Sequence, residues 1–308
     1  MHDLINDLAQ SVAGEICLHF EDTFEDKPHA FIAKLRHLSF TRHQYEISKR
    51  FEALDPVQCL RTFIALPMDA SSRATIHYIS NDVLQDLPAK FRCLRVLRLS
   101  GYCIDEIPYS IGDLTHLRYL NLSQSTIKQL PESLGNLFNL QTLLLRGCRE
   151  LTKLPPVIEN LINFLVLELT DTEKLVEMPL RIGNLKNLQV LSKFNVGKDS
   201  QFGNIKELKD LLHLKGELSI IGLENVVNAR DARDANLMDE HGIDGLCLKW
   251  SIDGLCSDKL LLDYFFVRFL LDHLFIRLLL DYLILVVMDS ALHRQIKFKN
   301  DPALNCCK

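Results

Sequence analysis

The chain has 308 residues, of which 47% are hydrophobic and 24% charged, and a formal net charge of −5. That length holds two ordinary domains or one elongated repeat array, and the apolar share excludes wholesale disorder. The acidic balance argues against a dedicated nucleic-acid binder, which presents a strongly basic surface. From the start, residues 1–22 read as a helix. Leu4, Ile5, Leu8, Val12 and Ile16 recur at helical spacing, and Asp3 is placed to cap the first turn. Such a stripe needs an apolar surface to pack on, and we expect it to cap the apolar end of the adjoining fold.

Residues 23–93 carry strand-like apolar spacing at irregular separations, in LRHLSF (35–40) and LRTFIAL (60–66). A regular array then begins. Four segments starting at Leu94, Leu117, Leu140 and Phe164 repeat with periods of 23, 23, 24 and 24 residues, the first three opening L-x-x-L-x-L. The pattern and length are those of leucine-rich repeats. Within each copy the alternating pair, such as Leu97 and Leu99, reads as a short strand pointing two side chains inward. Pro108, Pro131, Pro155 and Pro179 follow apolar residues and deny a ladder donor there, so that side of each coil is not sheet. Ile111 and Leu114, with their equivalents, are spaced for one turn of helix or 3₁₀ helix. The fold class expected is α/β: a leucine-rich-repeat solenoid with a curved parallel sheet on its concave side and loops, 3₁₀ turns and short helices on its convex side.

Residues 194–255 look like further degenerate coils, with strands in LKGELSII (214–221) and IDGLCLKW (243–250). A short helix is expected over 205–214, and a polar-faced helix or insertion over 225–242. One solenoid of about eight to ten coils covers these segments. Residues 256–308 depart from the pattern, because LLDYFFVRF, LLDHLFIRL and LLDYLILVV make a nine-residue tandem repeat. Asp263, Arg268, Asp272, Arg277 and Asp281 interrupt it, and each central charge costs about 2.5–3.5 kcal/mol on insertion scales, which argues against a membrane span. An amphipathic appendage and a translated repeat with no selected fold are the other readings, and the last is preferred.

The chemistry-bearing residues form no catalytic constellation. There is no H-E-x-x-H, no G-x-S-x-G and no zinc-type cysteine spacing among the nine cysteines, whose number and the lack of a secretory signal point to reduced thiols and a cytoplasmic location. His37 and His43 read as a solvated face, Asp105 and Glu106 as loop carboxylates, and Cys148 as a structural residue equivalent to Tyr102, Ser125 and Thr172. The surface left for function is the concave face. There Arg98, Tyr119, Asn121, Arg146 and Glu168 flank the buried leucines, and Arg98, Asn121, Arg146 and Glu168 are expected in one column about 5 Å apart. Two arginines in a column suit an acidic protein partner.

MHDLINDLAQSVAGEI, GNLKNLQVLSKFNVGKD and GELSIIGLENVVNARDARDANL together resemble plant nucleotide-binding leucine-rich-repeat disease-resistance proteins of the coiled-coil class, over residues 1 to roughly 251. The resemblance implies a protein-binding recognition and regulatory module of an intracellular immune receptor. Its partner would be a pathogen effector, a modified host protein, or the switch domain of a full-length receptor. It also makes Met1-His2-Asp3 a remnant of the nucleotide-binding switch, whose histidine contacts the nucleotide phosphate in the family. No phosphate-binding G-x-x-x-x-G-K-[ST] accompanies it, since Ser192 stands where Gly197-Lys198 would need its first glycine. His2 and Asp3 are therefore expected to be idle, and no cofactor is expected to bind this chain. The competing reading is a generic intracellular scaffold for signalling proteins such as small GTPases. Such adaptors have more regular coils and lack MHD and LENVVNARDA.

Overall fold

Alternating apolar and polar residues favour an extended backbone that buries one side, and this pattern recurs along most of the chain. The structure is a computed structural model that describes residues 16–20, 29–67, 76–198, 202–226, 231, 235, 242–252 and 255–263. Cα packing divides the chain into two compact units, Met1–Leu261 and Leu262–Lys308, and the elements named below belong to the first. It begins with β1 (Cys17–Phe20), α1 (His29–Ala33), β2 (His37–Thr41), β3 (Tyr45–Glu46), β4 (Thr62–Leu66) and β5 (His77–Ile79). Then come α2 (Asn81–Lys90), β6 (Val96–Arg98), β7 (Tyr102–Cys103), β8 (Tyr119–Asn121), β9 (Thr142–Leu144), β10 (Val166–Glu168) and β11 (Val190–Leu191). The series closes with β12 (Lys193–Asn195), β13 (Gly216–Ile221), β14 (Ile243–Ile252) and β15 (Leu255–Asp263), whose last two residues pass the boundary.

Eight strands make one sheet in the order β1-β2-β4-β6-β8-β9-β10-β11, every pairing parallel. The sheet keeps chain order, as a solenoid requires. Leu38, Phe63, Leu97, Leu120, Leu143, Leu167 and Leu191 stand opposite one another across it and are 0–1% exposed. No single coil could bury them, whereas stacked coils do so in one continuous core. On the other side each coil turns through 3₁₀ helix, at Tyr109–Asp113, Glu132–Asn136, Pro156–Asn160, Ile182–Asn184 and Ile205–Asp210. Pro108, Pro131 and Pro155 lead into the first three with φ of −64°, −71° and −68°, the angle the ring enforces.

Leaving the strands, the backbone takes a positive φ at the same place in four successive coils: Gly101 (80°), Gln124 (61°), Gly147 (74°) and Asp171 (59°). At Gly101 a Cβ would also lie 1.8 Å from the Arg42 guanidinium, whose side chain would have to shift. The next residue in each coil, Tyr102, Ser125, Cys148 and Thr172, is buried, and its polar group is hydrogen-bonded within its own coil or to another one. Thr172 Oγ1 donates to Leu169 O at 2.7 Å, and Cys148 Sγ to Leu122 O at 3.2 Å.

Several expectations change at this point. Cys17–Phe20 is a strand paired with β2, so the helix expected over 1–22 does not reach that far; residues 1–15 and 21–22 lie outside the described residues. The helix expected over 205–214 is a 3₁₀ turn of Ile205–Asp210. The irregular coils at 35–40 and 60–66 join the same sheet as the regular ones, whereas the sheet ends at Leu191, and β12-β13-β14-β15 form a second one. Of the segment 225–242 only the two ends, with Asp231 and Ala235, are described, and the nine-residue repeat beyond Asp263 is not. Among the described residues no helix is long and apolar enough to cross a membrane.

Candidate functional site

Strand alternation that turns the leucines inward turns their neighbours to the opposite sheet face. The ladder register then sets which neighbours share a column. Val96, Tyr119, Thr142 and Val166 make one column; Arg98, Asn121, Leu144 and Glu168 make the next. Arg146 does not belong to the second column, contrary to the expectation from sequence. Its partners are Ser100, Ser123 and Thr170, fixed by Gly101 N donating to Ser123 O, Gln124 N to Arg146 O and Gly147 N to Thr170 O, at 2.7–2.8 Å. The place expected for it is held by Leu144. The physical reason is simple: hydrogen bonds set register, and they put an apolar residue where a polar stripe had suggested a charged one.

These residues are not equally free. Asn121 is buried at 7% exposure; its Nδ2 donates to Tyr119 Oη at 3.2 Å and its Oδ1 accepts from Ser123 N at 2.9 Å. Glu168 Oε1 accepts from Thr170 N at 2.9 Å and from the Thr170 hydroxyl. Arg98 Nε donates to Ser100 Oγ at 3.1 Å. Arg146 is the outlying group, 68% exposed in its side chain, with Asp171 3.9 Å away. A pair so exposed contributes little.

One feature was visible in the sequence but gains meaning only from the fold. Leu35-Arg36, Leu60-Arg61, Leu94-Arg95 and Leu117-Arg118 place an arginine just before β2, β4, β6 and β8. Arg61 N donates to Arg36 O, Arg95 N to Arg61 O and Arg118 N to Arg95 O, at 2.6–2.8 Å, so the four stand in register one coil apart. Arg61, Arg95 and Arg118 are exposed, and among the described residues none of the four has a carboxylate within ion-pairing distance. Their backbones are about 4.8 Å apart from coil to coil, which gathers four like charges in one row that an acidic surface would complement.

The other candidate chemistry is structural. Cys148 Sγ, whose hydrogen goes to Leu122 O, accepts from Ser125 Oγ at 3.3 Å, and burial pushes its thiol up, away from reactivity. His37 Nδ1 bonds Thr62 Oγ1 at 2.9 Å on the sheet face, with burial and then Arg61 pulling the imidazole below its ordinary value. Asp105 Oδ1 accepts from Thr126 Oγ1 at 2.6 Å. Among the described residues no cluster of three or more His, Cys, Asp or Glu is arranged to hold a metal ion. His2 and Asp3 lie outside the described residues.

A family model described as a leucine-rich repeat region matches residues 73–233, more than half of the chain. The chain is a leucine-rich repeat protein. Among curated relatives, this leucine-rich repeat chain is 44% identical over 252 residues to a putative disease resistance protein of Arabidopsis thaliana. That match covers 82% of the chain and 17% of the relative. It is 41% identical over 251 residues to disease resistance RPP13-like protein 1, also putative and from Arabidopsis thaliana, covering 81% and 23%. Disease resistance protein RGA2 of Solanum bulbocastanum is 56% identical over 162 residues, covering 53% and 16%. The resemblance read from the three segments to the leucine-rich-repeat region of plant disease-resistance proteins is thus borne out. The chain spans less than a quarter of the length of these relatives. Among solved structures, the leucine-rich repeat domain of the type III effector XopL matches with a TM-score of 0.41 at 23% identity, covering 62% of this chain and 72% of that one. A leucine-rich repeat protein of Leptospira interrogans matches with a TM-score of 0.46 at 18% identity, covering 72% and 57%.

Proposed function

We propose that this chain is the protein-binding recognition and regulatory module of a plant intracellular immune receptor, working in the cytoplasm through its inner sheet face. The carrying observation is the row Arg36, Arg61, Arg95 and Arg118, with no carboxylate in ion-pairing distance among the described residues, which favours an acidic protein surface. Planar guanidinium groups at coil spacing match carboxylates bidentately, while Tyr119 supplies an amphipathic contact. A pathogen effector, a modified host protein and the switch domain of a complete receptor are the partners that fit. The disease-resistance names of the relatives support this reading.

Co-precipitation from plant cells tests it. Arg95→Glu with Arg118→Glu should abolish a partner that the unchanged chain recovers, with the fold intact by circular dichroism. Lys128→Glu with Lys153→Glu, on the loop side, should leave recovery unchanged. Loss with the lysine pair and retention with the arginine pair would reject the face. Recovery dominated by a small GTPase, with no immune-receptor component, would favour the scaffold reading. The proposal also holds that the chain binds no ADP or ATP; micromolar binding in equilibrium dialysis, lost in His2→Ala, would contradict that.

A further inference from the structure

One residue before the first buried apolar residue of a coil, three successive later coils carry asparagine, whereas His116 precedes Leu117. Asn139, Asn163 and Asn187 each donate Nδ2 to a main-chain carbonyl of the preceding coil, at Thr115, Phe138 and Ile162, over 2.8, 2.8 and 2.9 Å. These bonds are rungs between coils outside the sheet. In the N-terminal coils the same place holds cysteine, in Cys59-Leu60-Arg61 and Cys93-Leu94-Arg95. Leu60 and Leu94 are both fully buried, Arg95 N donates to Arg61 O at 2.8 Å, and Thr62 pairs with Val96, so the two tripeptides are in register. Neighbouring parallel strands lie about 4.8 Å apart, inside the roughly 4.4–6.8 Å window between Cα atoms that a disulfide spans. Both residues are partly exposed, and the Arg36 and Arg61 charges act on the Cys93 thiol.

We propose that Cys59 and Cys93 form a redox modification site, which hydrogen peroxide closes into an inter-coil disulfide and which a small dithiol reopens. The Cys59 sulfur, as thiolate, attacks one peroxide oxygen; the O–O bond breaks, hydroxide leaves and takes up a proton, and Cys59 becomes a sulfenic acid. Cys93 sulfur then attacks the Cys59 sulfur, the S–S bond forms, the S–O bond breaks, and the Cys93 proton leaves with the hydroxyl as water. Two thiols and one peroxide give one disulfide and two waters, the peroxide being the two-electron acceptor. The order comes from the contact. Its hydrogen bond to Cys59 and then burial push the Cys93 thiol up against the opposing pull of Arg36 and Arg61, so it keeps its proton and resolves. The bond would replace an asparagine-type rung with a covalent one directly beneath Arg61 and Arg95. The inference rests on coil geometry and is independent of the partner reading.

The test is peptide mass spectrometry of the full folded chain after hydrogen peroxide, with free thiols alkylated. The expected result is one dominant Cys59–Cys93 linked peptide, both thiols lost together, restored by dithiothreitol, and formed more slowly in urea. In Cys93→Ser a dimedone probe should label Cys59, and in Cys59→Ser it should leave Cys93 largely unlabelled. Separate oxidation of the two cysteines to sulfinic acids with no linked peptide would overturn the site. Linkage that is no faster in the folded chain than in urea would overturn it equally, and labelling of Cys93 ahead of Cys59 would overturn the stated order.

Discussion

Changing Glu46 to glutamine removes a buried charge while keeping the side chain's shape. The Glu46 carboxylate is fully buried and accepts from Arg50 Nη1 at 2.5 and 2.6 Å, from Tyr102 Oη at 2.9 Å and from His43 N at 2.8 Å. Arg50 is itself only 8% exposed; it donates to Thr41 O at 3.0 Å and lies over the Phe40 and Phe51 rings. Burial and Glu46 both push the Tyr102 phenol up, so it remains a donor. In Glu46→Gln one acceptor becomes an NH₂ aimed at donors, and Arg50 stays buried without its counter-charge. Charge-assisted bonds contribute about 1.5–3 kcal/mol each, and breaking one side of a buried pair costs about 3–5 kcal/mol. We therefore expect a loss of about 3–5 kcal/mol, read by denaturant titration and located by hydrogen exchange in β3, β5 and β7. Combining Glu46→Gln with Arg50→Met should cost less than the sum of the two, by roughly 2 kcal/mol. A change within about 1 kcal/mol of the unchanged chain, or strict additivity, would refute a buried, coupled pair.

Leu120→Ala should cost about 2–5 kcal/mol by thermal unfolding, since Leu120 is fully buried between Leu97 and Leu143, while Tyr119→Ala on the sheet face should cost far less. Equal losses would mean that the register is wrong by one residue. Lys193 donates to Thr172 O and Leu175 O at 2.7 and 3.3 Å, but burial, with Lys249 adding repulsion, pulls its ammonium from 10.5 down to about 8. Between those values the unfolded chain binds the extra proton, so stability rises with pH. The unchanged chain should gain up to about 3 kcal/mol on Lys193→Met from pH 8 to 10.5, and a flat difference would exclude the shift.

The coils at 94–187 were legible because four copies confirm one another, and the strands at 35–40, 60–66, 214–221 and 243–250 could be placed by the same leucine spacing. The small sheet of β3, β5 and β7 was not, since strands of two or three residues leave no period to detect. The helical stripe of Leu4 to Ile16 suggested a helix running on to residue 22, whereas pairing with β2 makes Cys17–Phe20 extended. Arg146 was misplaced because polarity was followed instead of repeat phase, which already puts Leu144, four residues after Leu140, beside Arg98, Asn121 and Glu168. The arginine row was missed for a different reason: it precedes the strands, where alternation makes no statement about facing.

The inner leucines and the asparagine rungs hold the coils, yet neither set includes the outward residues of the strands. A surface substitution away from such fastenings shifts stability by about 0.5 kcal/mol or less. Thr142, Leu144, Val166 and Arg146 can therefore be exchanged by descent almost without a folding penalty, as type is reset within a fixed frame. Asn121 and Glu168, tied into their own strands by hydrogen bonds, are the letters that such a lineage would alter last.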